Sequence, residues 1–236
     1  MSKTYKLQVP VSLDDITISQ YQKYIKVLED NKDSEDYDFL NLKLLNIFCD
    51  ITMKEAYELP MSEFDYILNH LSKVLSEKPL LHHRFFMEDP KGDEIEFGFI
   101  PNLDKMTLGE YIDAENYLSS WEDMHKAMSV LYRPIIAGNK DFYKIEKYEG
   151  SDKYESIMKD APASVALGTI LFFLNLGIEL SKITMDSLLK QQQISKEDLT
   201  AKDLEKNGDG TNQYIHLVEE MSSGLTKLQN STFTKQ

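Results

Sequence analysis

The chain has 236 residues, of which 40 are acidic and 26 are basic, so its formal charge is −14 at neutral pH. This balance argues against a DNA- or RNA-binding protein, because neutralising phosphates takes surplus lysine and arginine on at least one face. Hydrophobic residues make up 42% of the chain, which is enough for a buried core. Cys49 is the single cysteine, so an intramolecular disulfide is excluded and a reducing, intracellular setting is favoured.

The first third of the chain predicts one short strand and three helices. Polar and apolar residues alternate over residues 5–9, as they do in a half-buried strand. Apolar residues then recur at helical spacing around residues 18–28, 39–50 and 64–75. Residues 29–38 contain six acids, whose mutual repulsion favours a loop between the first two helices.

The middle of the chain changes its period. Residues 84–87 and 94–100 alternate around a turn rich in Asp, Pro and Gly, which predicts a β-hairpin with a loop longer than two residues. Helical spacing returns in a short helix around residues 109–112 and a longer one over residues 117–131. Residues 142–148 are predicted to be extended.

Three threonines predict the starts of three helices. Thr17, Thr52 and Thr107 are each followed three residues later by Gln or Glu. At this spacing the hydroxyl and the acid or amide satisfy the first free amides of a helix reciprocally, in a capping box. This chemistry stabilises a helix start and carries no functional information.

Residues 161–178 carry no charge, so a membrane span has to be weighed against a buried helix. The segment contains polar residues and has no aromatic belt at its ends, and we therefore predict a core helix and no membrane partner. Gly168 and Gly177 are expected to let another element approach closely. Residues 1–190 are predicted to form one domain, and the polar residues 191–236 a loosely attached segment with one helix around residues 213–228.

The predicted fold class is α+β and predominantly helical. It has one small antiparallel sheet, built from residues 5–9 and the hairpin, and one central buried apolar helix over residues 161–180.

A search for catalytic or cofactor chemistry yields no motif. The chain has no phosphate loop, dinucleotide glycine pattern or nucleophile elbow, so no cofactor and no metal are predicted. His82 and His83 are adjacent, which is a poor arrangement for holding one metal ion. His125, Tyr132 and Arg133 lie within nine residues and are the place to look for an enzyme of unfamiliar type, although Arg133 is also placed to bond the last carbonyls of a helix.

Several phrases of the sequence resemble acidic, mainly helical proteins from bacteriophage structural-gene clusters, including tail assembly chaperones and accessory proteins of baseplate assembly. They are DITISQY at residues 15–21, LGEYID at 108–113, HKAM and LYRP within 125–134, and LFFLNLG at 171–177. The resemblance implies a protein without catalytic residues that binds tail or baseplate subunits in the cytoplasm of the infected cell. It leaves open whether the protein stays in the virion.

Two functions follow from these observations, with the enzyme as a third. The first is a transient assembly chaperone, and the second is a permanent tail, neck or baseplate subunit that oligomerises and leaves apolar surface exposed on the monomer. The candidate contact surfaces are the acidic loop at residues 29–38, the hairpin around residues 97–100 and the stretch at residues 214–228. The predicted partner-binding side chains are Phe97, Phe99, Tyr214, Val218, Met221 and Leu225.

Overall fold

A computed structural model describes residues 7–34, 36–139 and 142–192, with side chains up to Thr184. The helices are α1 Ile18–Asp30, α2 Tyr37–Phe48, α3 Met53–Tyr57, α4 Met61–Leu75, α5 Leu108–Leu118, α6 Met124–Leu131, α7 Glu155–Met158 and α8 Ala163–Gln192. The strands are β1 Arg84–Glu88, β2 Glu94–Phe99, β3 Tyr132–Gly138 and β4 Tyr143–Ile145. They form one antiparallel sheet in the order β1-β2-β3-β4. The predicted α+β class, predominantly helical with a small antiparallel sheet, is confirmed.

The chain divides into two compact units, Met1–Gly168 and Thr169–Gln236, and the boundary falls within α8. The predicted boundary after residue 190 stays a prediction, because residues 193–236 lie outside the described residues. The helix predicted around residues 213–228 lies outside them as well.

All three predicted capping boxes form. Thr17, Thr52 and Thr107 each accept a hydrogen bond from the backbone of the third helical residue, and the side chain of that residue accepts one in return. A fourth box, which was not predicted, starts a 3-10 turn at Ser12. Its partner is Asp15, because a short acid can fill the role that Glu or Gln takes in the usual pattern.

The strand predicted over residues 5–9 is wrong for residues 7–9, which have no strand pairing, and residues 5 and 6 lie outside the described residues. The imidazole of His70 on α4 lies 2.9 Å from the carbonyl oxygen of Pro10 and holds this stretch against a helix. The third strand is instead β3, which pairs with β2 through Phe99 and Tyr132. Alternation over five residues does not distinguish a strand from other extended backbone.

The long helix predicted over residues 117–131 is wrong, because α5 ends at Leu118 and α6 begins at Met124. Ser120 interrupts the helix, since its hydroxyl accepts the backbone N–H of Glu122 at 3.2 Å and caps a 3-10 turn. Serine competes with the helix ladder in this way. The short strand β4 lies within the segment predicted to be extended.

The first turns of α8 are buried and are tied to the start of α1. Ile18 N donates to Ala161 O at 2.8 Å, and Ala163 N donates to Ile16 O at 2.7 Å. Gly168 is needed where the backbone of Leu80 crosses the helix, because an added Cβ would lie 2.2 Å from the Leu80 carbonyl oxygen. The prediction that Gly168 allows close approach is therefore confirmed.

One segment among the described residues, Ala163–Thr184, is long and apolar enough to cross a membrane, with a mean hydropathy of 1.8. Within this segment, 56% of the most apolar stretch is buried inside the protein. The residues of α8 from Ala163 to Ile170 are buried, whereas Ile178, Leu180 and Ile183 are exposed.

Candidate partner-binding surface

The hairpin β1-β2 has one face in the core, and this face holds both of the aromatic residues predicted to bind a partner. Phe97 and Phe99 are 0% and 3% exposed. The ring of Phe97 stacks on Phe85 at 5.8 Å and meets Tyr154 edge-on at 5.4 Å, while Phe99 contacts Tyr132 at 5.3 Å. Packing within the chain therefore accounts for both side chains.

The opposite face of the same hairpin exposes Phe86, which keeps 59% of its surface in contact with solvent. Phe86 lies directly across from Glu96 in the ladder, and the next pair on this face is Glu88 with Glu94. Alternation around Phe85 places Phe86 on the outer face, although Phe86 is not among the residues predicted to bind a partner. We call Phe86, Glu88, Glu94 and the free edge of β1 the hairpin surface.

The hydrogen bonds of the hairpin show which backbone groups of β1 are free. Asp89 N donates to Asp93 O at 2.8 Å, and Phe99 N donates to His83 O at 3.0 Å. Since bonded and non-bonded pairs alternate in an antiparallel ladder, the backbone N–H and C=O groups of Phe86 and Glu88 point away from β2. Among the described residues, β1 has no second strand neighbour.

The turn that closes the hairpin is organised by one carboxylate. Asp89 Oδ1 accepts the backbone N–H groups of Lys91 at 2.8 Å and Asp93 at 2.9 Å. The hydrogen bond from Asp93 contributes most to lowering the pKa of Asp89, and the charge of Lys91 lowers it further. Lys91 thus lies close to Asp89, while Glu88 and Glu94 have no ion-pair partner within the part of the chain described.

Towards β3 and β4, the outer face is closed by a packed cluster. An added Cβ on Gly98 would lie 2.6 Å from Cε2 of Tyr143, so only glycine leaves room for this ring. Tyr143 donates its hydroxyl to Phe99 O at 2.7 Å. The guanidinium of Arg84 lies 4.6 Å from the centre of the Tyr143 ring and 3.3 Å from Glu96. The exposed part of the hairpin surface is therefore the end near Phe86 and the turn.

Helix α5 shows an unusual distribution of side chains. Leu108, Tyr111 and Ile112 follow one another at helical spacing and are exposed, whereas the buried face holds the acidic Glu110 together with Ala114 and Leu118. An ordinary surface helix turns its apolar residues inward and its charges outward. Burial raises the pKa of the Tyr111 hydroxyl, and the negative charge of Glu115, which is half-buried, raises it further.

Glu110 is buried because it bonds two groups at once. Its Oε2 accepts the backbone N–H of Thr107 at 2.6 Å, and its Oε1 lies 2.5 Å from Nη1 of Arg133. Burial raises the pKa of Glu110, but the hydrogen bonds from Thr107 and the charge of Arg133 hold it below its ordinary value. Arg133 was predicted to bond the last carbonyls of a helix, and the structure shows it paired with Glu110. The guanidinium also lies over the ring of Tyr148, 5.5 Å from its centre.

The three residues proposed for an enzyme site are engaged with different partners. His125 is buried, and its Nδ1 lies 3.0 Å from Nε2 of Gln22, which also donates to two backbone carbonyls. Burial, followed by the charge of Lys159, lowers the pKa of His125. Tyr132 donates its hydroxyl to His82 O at 2.9 Å.

The other two predicted contact surfaces are the acidic loop at residues 29–38 and the stretch at residues 214–228. In the acidic loop, Asp36 accepts the backbone N–H of Phe39 at 3.0 Å and caps α2, and Glu35 lies outside the described residues. Tyr214, Val218, Met221 and Leu225 lie outside them as well. Over the part of the chain that the structure covers, no group of three or more His, Cys, Asp or Glu side chains is arranged to hold a metal ion.

No family model, no curated protein and no solved structure matches this chain.

Proposed function

We propose that this chain is a non-catalytic protein-binding factor of bacteriophage virion assembly that holds a tail or baseplate subunit in the cytoplasm of the infected cell. The observation that supports the proposal is the exposed apolar stripe of helix α5, which presents Leu108, Tyr111 and Ile112 to solvent. Apolar side chains exposed together on a regular element are typical of protein-binding surfaces. The phrase LGEYID, one of those that resemble phage assembly proteins, lies in this helix.

The charge of the chain suits such a role. A net charge of −14 steers the protein towards basic partners and away from packaged DNA. A client subunit held on an apolar surface is kept from premature association with its own copies, and the chaperone leaves when the client enters the tail or baseplate.

The test is to follow a tagged copy of the chain through infection. We expect a tail or baseplate subunit to co-purify with it from infected cells, and we expect the chain to be absent from purified particles. Ile112→Asp should abolish co-purification, because it places a charge in the apolar stripe. Tyr66→Asp is the matched control, since Tyr66 is also exposed but lies on α4. If no structural protein of the phage is retained by the unaltered chain, the proposal fails.

A permanent virion subunit is the second candidate, and one observation on α8 favours it. Leu180 and Ile183 are exposed three residues apart on this long helix, a spacing that helices use to associate with one another. Stoichiometric presence of the chain in finished particles would decide for this candidate and against the chaperone.

A further inference from the structure

We infer that the free edge of β1 binds an extended segment of a partner protein that carries lysine or arginine. The inference rests on the proposed protein-binding role and specifies the chemistry of the partner. Strand addition of this kind uses main-chain hydrogen bonds for affinity and alternate side chains for specificity. The outward backbone groups of Phe86 and Glu88 supply the required donors and acceptors.

The two edges of the sheet differ in how well they are protected against pairing. β4 has three residues, carries Lys144 and pairs with a strand that contains a bulge between Ile135 and Ala137. Short length, lysine and bulges are the usual protections of a sheet edge. β1 has five residues, contains neither lysine nor proline, pairs in unbroken register and exposes Phe86. It is therefore the edge that is open to another strand.

The charges of the hairpin surface favour a basic strand. Glu88 and Glu94 face each other in a pair that is not hydrogen-bonded, the closer of the two antiparallel geometries. Like charges at this position repel each other. A lysine or arginine on the added strand, next to Glu88, would relieve this repulsion, whereas an acidic strand would add to it.

The register of the added strand follows from alternation along β1. Arg84, Phe86 and Glu88 share the outer face, so the residues opposite Phe86 and Glu88 on an added strand are two positions apart. Arg84 is already paired with Glu96. The expected binding segment therefore has an apolar residue and a basic residue two positions apart, the apolar one first if the added strand runs parallel to β1 and the basic one first if it runs antiparallel.

The direct test uses the full chain and a synthetic peptide in which valine and lysine alternate with threonine. We expect the peptide to bind, and we expect hydrogen exchange of the Phe86 and Glu88 amides to slow by about tenfold or more at saturation, as newly bonded edge amides do. The same peptide with glutamate in place of lysine should show no binding. Protection of other amides without these two would overturn the inference.

Two variants distinguish the contribution of charge to peptide binding from that of backbone hydrogen bonds. Glu88→Lys should weaken binding of the lysine peptide by about tenfold, because it places like charges side by side. Asp65→Lys, on the exposed side of α4, makes the same change of charge elsewhere and should leave binding unchanged. Phe86→Pro removes an N–H that the hairpin does not use, so it should abolish binding and leave the fold intact by circular dichroism.

Two other occupants of this edge would overturn the inference. If the Phe86 and Glu88 amides are already protected in the free chain, a segment of the chain itself covers β1. If their protection rises with protein concentration, a second copy covers it. A phage subunit that binds Phe86→Pro and Glu88→Lys as well as the unaltered chain would refute the edge and keep the proposed function, whereas retention of no subunit would refute that function.

Discussion

The two faces of the β1-β2 hairpin come from the same few residues and have opposite surroundings. The inner face places Phe85, Phe97 and Tyr132 in contact with one another. The outer face leaves Phe86 in solvent beside two facing glutamates. Alternation determines which residues share a face, but it does not determine which face is covered. That depends on the helices and strands that pack on the sheet.

The comparison shows why an aromatic residue in a hairpin is a poor guide to binding by itself. Phe97 and Phe86 are both phenylalanines near the middle of a strand, and only Phe86 is exposed to solvent. The backbone also distinguishes the strand positions. Phe86 and Glu88 belong to non-hydrogen-bonded pairs, so their N–H and C=O groups point to the free edge of β1.

The largest expected effect is on the inner face. Phe97→Ala should lower the free energy of unfolding by about 3–5 kcal/mol, because it removes a buried ring and leaves a cavity. Phe86→Ala should change it by less than about 0.5 kcal/mol, since the ring is exposed. Urea unfolding of both variants measures the difference, and equal losses would contradict the assignment of the two faces.

The next largest effect is expected at the buried ion pair of Glu110 and Arg133. Glu110→Gln keeps a capping box with Thr107 but leaves the charge of Arg133 without its partner, so unfolding should become easier by about 3 kcal/mol. The double variant with Arg133→Met should recover most of this loss, because no buried charge remains. If the double variant is no more stable than Glu110→Gln, the pair is not the cause.

The covered part of the outer face depends on Gly98. Gly98→Ala should destabilise the chain by about 1–3 kcal/mol, because the new methyl group overlaps the ring of Tyr143. Combining it with Tyr143→Ala should remove most of the additional cost of the methyl group. Gly109→Ala is the control, since an added Cβ at Gly109 meets nothing within 4 Å.

The pH dependence of stability should come in part from His125. Its pKa in the folded chain lies below the ordinary value of 6.5, so the unfolded state binds a proton more readily. Its contribution to stability is therefore fully present above pH 6.5 and decreases as the pH falls below that value. Melting temperatures at pH 7.5 and 5.5 should differ less in His125→Gln than in the exposed control His83→Gln. An unchanged difference would show that His125 does not titrate in this range.

The smallest expected effect is an increase in stability. Glu88→Lys should stabilise the chain by about 0.5 kcal/mol, because it turns a facing pair of like charges into a pair of opposite charges. The gain should shrink at high salt, as screening weakens exposed pairs. Thermal unfolding at low and high salt measures it, and a loss of stability would show that Glu88 and Glu94 do not repel each other.

The sequence was sufficient for features set by local chemistry. The boxes at Thr17, Thr52 and Thr107 and the hairpin with its long turn follow from residues only a few positions apart. The helix break at Ser120 and the strand β3 did not follow. Ser120 was hidden in an apolar pattern with helical spacing, and β3 depends on its pairing with β2, about 35 residues earlier in the chain.

For the candidate partner-binding surface, too, the sequence predicts local features and not long-range contacts. The sequence predicts the hairpin, but it does not show that Phe97 and Phe99 are buried and Phe86 exposed, because it does not reveal which side of a sheet will be covered. The ion pair between Glu110 and Arg133 joins residues 23 positions apart and was equally invisible. The LGEYID phrase resembles phage assembly proteins, but its sequence does not show that Leu108, Tyr111 and Ile112 are exposed.

The contact between the beginnings of α1 and α8 has a consequence for biosynthesis. Ile16 and Ile18 exchange backbone hydrogen bonds with Ala163 and Ala161, which the ribosome adds about 145 residues later. Contacts so distant in sequence slow folding, because a long loop must close first. The nascent chain therefore completes its first unit only after α8 has begun to emerge. A chain truncated before residue 161 would leave the backbone N–H of Ile18 and the backbone C=O of Ile16 without these partners.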